Sequence, residues 1–305
     1  MPPRAPGTLR RLAPAKLNLG LHVLRRRPDG FHELATVFVP IGWADAITAA
    51  PDPQLVLTTS DPALPTDDGN LVLRAAQALR AHAGAQAGAR LHLDKRVPYG
   101  AGLGSGSSDA AATLRLLVAL WRLATPEADL HRLARALGSD VPFFLVGRAA
   151  HATGRGEILT PLRAHDAPYR CPFWIVVVVP PVHVSTADAF REITPSDRER
   201  PDVAELVASN DLARWRRQLV NDFEAPVAAR HPEVATILAT LRETAGYAAL
   251  SGSGSAAFGV FEDEATARAA ADRLAGARVW VQPPDDPASD DPASDDPASY
   301  RSMPV

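Results

Sequence analysis

A single cysteine, Cys171, stands in 305 residues. It has no internal partner, so a disulfide-built scaffold is excluded and a reducing cytoplasm is the expected compartment. Long apolar runs are absent too. The longest, Phe173 to Val179, is closed by Pro172 and Pro180, which suits a buried strand and is too short to cross a membrane. Residues 1–11 mix proline and arginine without an apolar core, so no secretory signal is expected there. There is no excess of positive charge. The net charge is −3, and six aspartates and one arginine from 283 to 305 supply −5 of it, leaving a body near +2. Such a body speaks against nucleic acid as a partner. His22 and His92 lack the Cys, His or Asp spacing of a metal site and read as ordinary strand residues.

With 46% hydrophobic residues the chain can bury two ordinary cores. A boundary is expected between Ala164 and Pro172, giving units of 1–166 and 167–282. Helices are predicted near Asn70 to His82, Pro126 to Leu137, Val203 to Leu219, Pro232 to Thr244 and Glu264 to Ala275. Strands are predicted at Ile175 to Val179, Phe258 to Phe261 and Val279 to Val281, which suggests a sheet covered by helices. Asp-Asp-Pro-Ala-Ser then repeats at 285, 290 and 295. Its proline, low hydropathy and like charges predict a disordered acidic tail over 283–305.

What is abundant is glycine, at 100, 102, 104 and 106, within P-Y-G-A-G-L-G-S-G-S-S-D-A-A from Pro98. Glycine tolerates positive φ and lacks Cβ, so backbone N–H groups can converge on one anion. Leu91 to Val97 alternates as a strand, and Leu114, Leu117, Val118 and Trp121 recur at helical spacing after Ser107, Ser108 and Asp109, which suit a helix start. A strand, a glycine loop and a helix N-terminus make a phosphate cradle. The spelling excludes a Walker A loop, since no Gly-Lys-Ser or Gly-Lys-Thr occurs. It disfavours Rossmann and protein-kinase loops, since the spacing is not G-x-G-x-x-G and no His-Arg-Asp or Asp-Phe-Gly follows. The bland reading, a glycine-serine linker, fits poorly between a strand and an amphipathic helix.

Three further segments carry chemistry. Ala13 to Val23 reads as a strand with Leu17, Leu19, Leu21 and Val23 on one face and Lys16, Asn18, Gly20 and His22 on the other. Arg25, Arg26 and Arg27 precede a Pro28-Asp29-Gly30 turn that would present Phe31 and His32. The three arginines are a solvated run by default, with phosphate contact as the second reading. Asp140 lies among apolar residues before Pro142, where a buried carboxylate needs a partner, and Lys16 is a candidate.

Taken in order, P-A-K-L-N-L, R-R-P-D-G-F-H, G-L-G-S-G-S-S-D-A-A, L-G-S-D-V-P-F-F and S-G-S-G-S resemble the GHMP kinases, a superfamily of small-molecule kinases. The resemblance runs from about Ala13 to Val281. It is strongest to the branch that phosphorylates the 2-hydroxyl of a cytidine diphosphate-linked methylerythritol in non-mevalonate isoprenoid synthesis. It implies an α+β two-domain GHMP kinase fold, with an N-terminal domain like ribosomal protein S5 domain 2 and a ferredoxin-like C-terminal domain. The active site would lie between them.

The resemblance makes Lys16 and Asp140 the catalytic pair, the aspartate handling the substrate hydroxyl and the lysine the developing charge. It gives ATP to Pro98, Tyr99, Gly100, Ala101, Gly102, Leu103, Gly104, Ser105, Gly106, Ser107 and Ser108, with Asn70 and Lys95 as further contacts. Phe31, His32 and Phe190 would hold the cytosine, and Asn18, Asp140 and Thr186 the polyol. Without the family match, Phe190 and Thr186 read equally well as core or turn residues. By the same resemblance the Ser251 to Ser255 run packs on the phosphate loop, although alone it could be a tight start to a strand. Magnesium would accompany ATP with no dedicated carboxylate cage, Ser108 being its one candidate contact. A small-molecule substrate, no nucleic acid, no membrane, and a monomer or weak homodimer are expected.

Two residues depart from the family's pattern. Phe31 replaces a usual tyrosine, keeping the stacking face and losing a hydroxyl. Ser105 replaces a usual glycine, which negative φ would allow. The rival readings are another GHMP kinase, acting on mevalonate, homoserine or a sugar, and a silent nucleotide-binding or RNA-binding protein on the same fold. The chain lacks the early Gly-Glu-His of the mevalonate kinase relatives, and it retains both Lys16 and Asp140.

Overall fold

The structure, a computed structural model, describes residues 7–195 and 199–285. The acidic repeats beyond Asp285 lie outside the described residues. The N-terminal half begins with two long strands, β1 (Leu9–Arg26) and β2 (His32–Asp52), paired antiparallel along their length. β3 (Leu55–Thr59), helix α1 (Leu71–Ala83) and β4 (Gly88–Asp94) follow, then α2 (Ser105–Leu120), α3 (Glu127–Leu137), the short α4 (Val141–Val146), β5 (Ala150–Gly154) and β6 (Ile158–Pro161). These strands form one sheet in the order β3-β4-β2-β5-β6, with β1 on β2 and only β3-β4 parallel.

A small hairpin, β7 (Arg163–Ala164) with β8 (Ala167–Pro168), leads to the apolar strand β9 (Trp174–Val179). Helices α5 (Thr186–Glu192), α6 (Val203–Ala208), α7 (Leu212–Gln218), α8 (Glu224–Arg230) and α9 (Pro232–Arg242) come next. The described elements close with β10 (Tyr247–Leu250), β11 (Ala257–Phe261), α10 (Glu264–Arg273) and β12 (Arg278–Gln282). The second sheet runs β10-β11-β9-β12, all antiparallel. That is the strand order of a β-α-β-β-α-β unit and matches the expected ferredoxin-like half.

Four sequence expectations are corrected. The helix expected over 203–219 is two helices. Asn210 takes φ 51°, Ser209 Oγ bonds back to the Leu206 carbonyl, and the Asp211 side chain caps α7 at the Arg214 N–H. Short polar side chains competing for the backbone end the first helix there. The alternation expected along β1 is broken by a bulge between Leu19 and Leu21, where Gly20 adopts φ 70°. Leu17 and Leu19 consequently join one apolar cluster, and Leu21 and Val23 another.

The two halves also share a core: beside the cluster that the N-terminal half holds alone around Leu79, Leu91 and Leu114, another is common to both. Leu17, Leu19, Val37 and Val39 pack in the same cluster as Val177, Phe258 and the fully buried Trp215. With each such side chain worth roughly 1.5–3 kcal/mol, this shared cluster fastens the halves across the site. Finally, the segment expected to begin the disordered tail is ordered at 283–285. The Asp285 N–H donates to the Cys171 carbonyl at 2.9 Å, and its carboxylate accepts from the Cys171 N–H at 3.0 Å.

Candidate active site

The glycine loop between β4 and α2 holds Gly100, Gly102 and Gly104 at φ 68°, 79° and 68°. A Cβ on Gly102 would stand 2.1 Å from the Ser251 carbonyl oxygen, so the expected contact with the 251–255 turn is real and demands glycine. Ser251 Oγ donates to the Gly102 carbonyl at 3.1 Å, and the Ala256 N–H donates to the Ala101 carbonyl at 3.0 Å. Lys16 fastens the loop from the other side, its N–H donating to the Leu103 carbonyl at 3.0 Å. Ser105 carries no left-handed strain, and its hydroxyl reaches the Pro98 carbonyl at 3.4 Å.

Helix α2 starts at Ser105 behind the left-handed Gly104, two residues earlier than expected and without a side-chain cap. Uncapped N–H groups in this first turn, including those of Gly106 and Ser107, leave an anion as their natural partner. Tyr99, 65% exposed, stands at the lip. The loop therefore fits the phosphates of a nucleotide, and Ser108 is buried in the first turn of α2.

Lys95 and Asp109 differ from expectation. The Lys95 ammonium lies between Asp45 at 2.5 Å and Asp109 at 3.0 Å, with all three side chains buried. Asp45 also accepts from the Arg96 and Val97 N–H groups. Lys95 is thus committed to a buried triad instead of an open nucleotide contact, and Asp109 is no helix cap. Burial first, and then the nearby Asp45, push the Asp109 carboxyl up to about 7 against the pull of Lys95. Its Oδ1 has no hydrogen-bond partner. Asn70 is likewise engaged, capping α1 at the Val72 N–H and donating to the Pro65 carbonyl at 2.8 Å.

On β1, Lys16 and Asn18 project side by side as the strand period requires. The Lys16 ammonium donates to Asn18 Oδ1 and, at 3.2 Å, to the Gly102 carbonyl. It lies 4.9 Å over the Phe38 ring and 3.7 Å from Asp140. Burial lowers the Lys16 pKa, and Asp140 opposes that shift. Asp140 itself, expected to be buried, is 29% exposed at the start of α4 and caps no N–H there. Lys16 is the buried member of the pair.

The sequence reading missed the groups that hold this arrangement. Thr36 accepts from Asn18 Nδ2 at 3.0 Å and donates to the Gly20 carbonyl. Asn221 donates to the Leu250 and Gly252 carbonyls at 2.8 and 2.9 Å, fixing the 251–255 turn. Both side chains are buried polar groups with every bond internal, and no local motif announces them.

A cavity of about 910 Å³ opens beside Gly138 and Ser139, the residues leading into Asp140. Phe31, His32 and Phe190 line it. Phe31 is exposed with the Arg155 guanidinium 4.7 Å from its ring, and His32 stacks on Phe190 at 5.0 Å. Burial, then Arg26, lowers the His32 pKa. Thr186 begins α5 and its hydroxyl bonds Ser253 at 2.9 Å, which ties that helix to the turn beneath the glycine loop. The structure thus brings together Lys16, Asn18, Asp140, the loop and, beyond them, the aromatic residues.

A glycine loop on a helix N-terminus, closed by a lysine and an aspartate from a neighbouring strand and helix, defines a GHMP kinase. The GHMP kinases N terminal domain family matches residues 70–148, and the GHMP kinases C terminal family matches 203–278. The chain is 54% identical over 264 residues to the 4-diphosphocytidyl-2-C-methyl-D-erythritol kinase of Salinibacter ruber, covering 86% of this chain and 93% of that one. It is 48% identical to the same kinase of Chlorobium phaeobacteroides, covering 82% and 87%. A crystal structure of 4-(cytidine 5'-diphospho)-2C-methyl-D-erythritol kinase superposes with TM-score 0.75 at 39% identity, over 90% of this chain and 98% of that one. The chain belongs to the 4-diphosphocytidyl-2-C-methyl-D-erythritol kinase family. Mevalonate kinase of Methanococcus jannaschii, at TM-score 0.73 and 12% identity over 93% of this chain and all of that one, shares the fold alone.

Proposed function

We propose that this kinase transfers the γ-phosphate of ATP to the 2-hydroxyl of 4-diphosphocytidyl-2-C-methyl-D-erythritol, a step of non-mevalonate isoprenoid precursor synthesis. The observation that carries the reading is the Lys16 to Asp140 contact at 3.7 Å, with the lysine bonded to the glycine loop and the aspartate beside the cavity. The substrate oxygen forms a bond to the γ-phosphorus as the bond from that phosphorus to the β-bridging oxygen breaks. Asp140 orients the hydroxyl and receives its proton, and the loop N–H groups with Lys16 offset charge on the transferred group.

Asn18 fixes the Lys16 ammonium and faces the polyol. Phe31 and Phe190 supply stacking faces for cytosine, and His32 hydrogen bonds. Thr186, through Ser253, sets the floor under the polyol. The 98–108 loop holds the phosphates, with Asn70 setting the start of α1 nearby. Lys95 acts on this site indirectly, by steadying the base of α2. Among the described residues no group of three or more His, Cys, Asp or Glu side chains could hold a metal. The magnesium ion would come with the nucleotide, held mainly by its phosphates.

The chain divides into 1–166 and 167–282, followed by the acidic repeats beyond the described residues, and acts as a monomer or weak homodimer in the cytoplasm with no nucleic-acid or membrane partner. Among the described residues no helix is long and apolar enough to cross a membrane.

The test is ADP release with Mg-ATP, offering the diphosphocytidyl substrate beside mevalonate, homoserine and galactose, with Asp140→Asn as control. Turnover confined to the cytidyl substrate and lost in the variant is the expected result. Turnover of a rival substrate, or of none, overturns the reading.

A further inference from the structure

Four arginines from four separate elements line the cavity: Arg26 at the end of β1, Arg135 in the last turn of α3, Arg155 in the turn between β5 and β6, and Arg191 in the last turn of α5. Among the described residues no carboxylate lines it. Two of the four have local partners, Arg191 with Asp188 and Arg155 with Glu157. Arg27, next to Arg26, is also accounted for by Asp29 and Glu33. Arg26 and Arg135 have no ion-pair partner among the described residues, so within those residues neither guanidinium is compensated.

Gathering like charges over one cavity is unfavourable unless an anion is their partner, and the planar guanidinium fork suits phosphate oxygens. The aromatic groups Phe31 and Phe190 line the same cavity as Gly138 and Ser139, which precede Asp140. A ligand with its base on the aromatics and its reacting hydroxyl at Asp140 places whatever joins them under the arginines. The geometry points to Arg26 and Arg135 as the specificity-determining contacts for the pyrophosphate that links base to polyol, an assignment that rests on the substrate reading above. They would select a nucleoside diphosphate-linked alcohol over an uncharged one. The arginine run at the end of β1 is therefore a binding element through Arg26 and a turn brace through Arg27.

The experiment compares wild type with Arg26→Gln, Arg135→Gln and the double variant in the full chain. Calorimetry measures CDP and cytidine binding, and steady-state kinetics measure KM for the cytidyl substrate and for ATP. The double variant is expected to weaken CDP binding by about tenfold or more, the loss of charge-assisted bonds. Cytidine binding, kcat and the ATP KM should hold within about twofold, a change too small to signal a lost contact, and Lys at both positions should recover part of the CDP affinity. Unchanged CDP affinity, or equal losses for CDP and cytidine, would overturn the assignment. Because the binding arm needs no turnover, failure of the wild type to phosphorylate the cytidyl substrate would count against the substrate reading alone.

Discussion

The Lys16 ammonium and the Asp140 carboxylate stand 3.7 Å apart, yet only the lysine is buried. One group is locked against the glycine loop while its partner stays open to a substrate. In the proposed mechanism this asymmetry suits Lys16 to the fixed charge and Asp140 to the proton-accepting role. Asp140→Asn should lower kcat about 10²–10⁴-fold, the range for a positioned general base, while ATP affinity measured by calorimetry stays close to wild type. Near-normal kcat in that variant would remove Asp140 from the chemistry.

The buried lysine also sets a pH limit. Desolvation lowers its pKa from the ordinary 10.5, and the reaction needs the ammonium, so kcat should fall on the alkaline side at a pH below 10.5. The stability sign runs the other way. Between the lowered folded pKa and 10.5 the unfolded chain binds more protons, so the cost of burying Lys16 declines as pH rises. A kcat profile flat to 10.5 in protein that remains folded would contradict the assignment.

Gly102→Ala tests the seam between the loop and the 251–255 turn. The new methyl would meet the Ser251 carbonyl at 2.1 Å on a residue held at φ 79°. Positive φ alone costs a non-glycine residue about 1–2 kcal/mol, and the clash adds to it. A lower melting temperature and weaker ATP binding should appear together; an unchanged protein would mean that the seam is loose.

The buried triad predicts a second pH effect, independent of catalysis. The Asp109 carboxyl is raised from 3.8 to about 7, so the folded state binds more protons between those values and stability falls as pH climbs through them. Asp109→Asn removes the titration. At pH 8 its melting temperature should exceed wild type by about 2–4 °C, the shift that ~1 kcal/mol produces in a domain of this size. The gain should shrink toward pH 5. A variant less stable than wild type at pH 8 would show that the charged form is preferred.

The ordered end of the chain supplies another contrast. A protein ended after Gln282 loses both Asp285 bonds to Cys171, whereas one ended after Asp285 keeps them. The first should melt lower by a few degrees, two lost bonds at about 1 kcal/mol each. Equal melting curves would mean that the Asp285 bonds add nothing.

The parts of the site legible in the sequence are those whose chemistry is local. Glycines at 100, 102 and 104 declare a backbone that needs positive φ, and the period of two places Lys16 beside Asn18. Three strands of the C-terminal sheet were legible from their apolar runs and the intervening helices, while β10 was not. Lys95, which the resemblance gives to the nucleotide, is held by Asp45 fifty residues away, a pairing that no local pattern records. Asn221 was missed because it serves backbone carbonyls about thirty residues on, through bonds that no periodicity records. At Gly20 one extra residue in β1 redirected Leu21 and Val23 to a different core, a change that depends on the partner strand. The break at Asn210 was readable in the run Ser209-Asn210-Asp211, had capping chemistry been weighed above apolar spacing.

Phosphorus NMR of a complete reaction with Mg-ATP and 4-diphosphocytidyl-2-C-methyl-D-erythritol tests the central claim most directly. The account predicts ADP and, in equal amount, a new phosphomonoester on the carbon-2 oxygen of the polyol with its pyrophosphate intact. ADP accompanied only by inorganic phosphate, or a phosphomonoester at another hydroxyl, would contradict it.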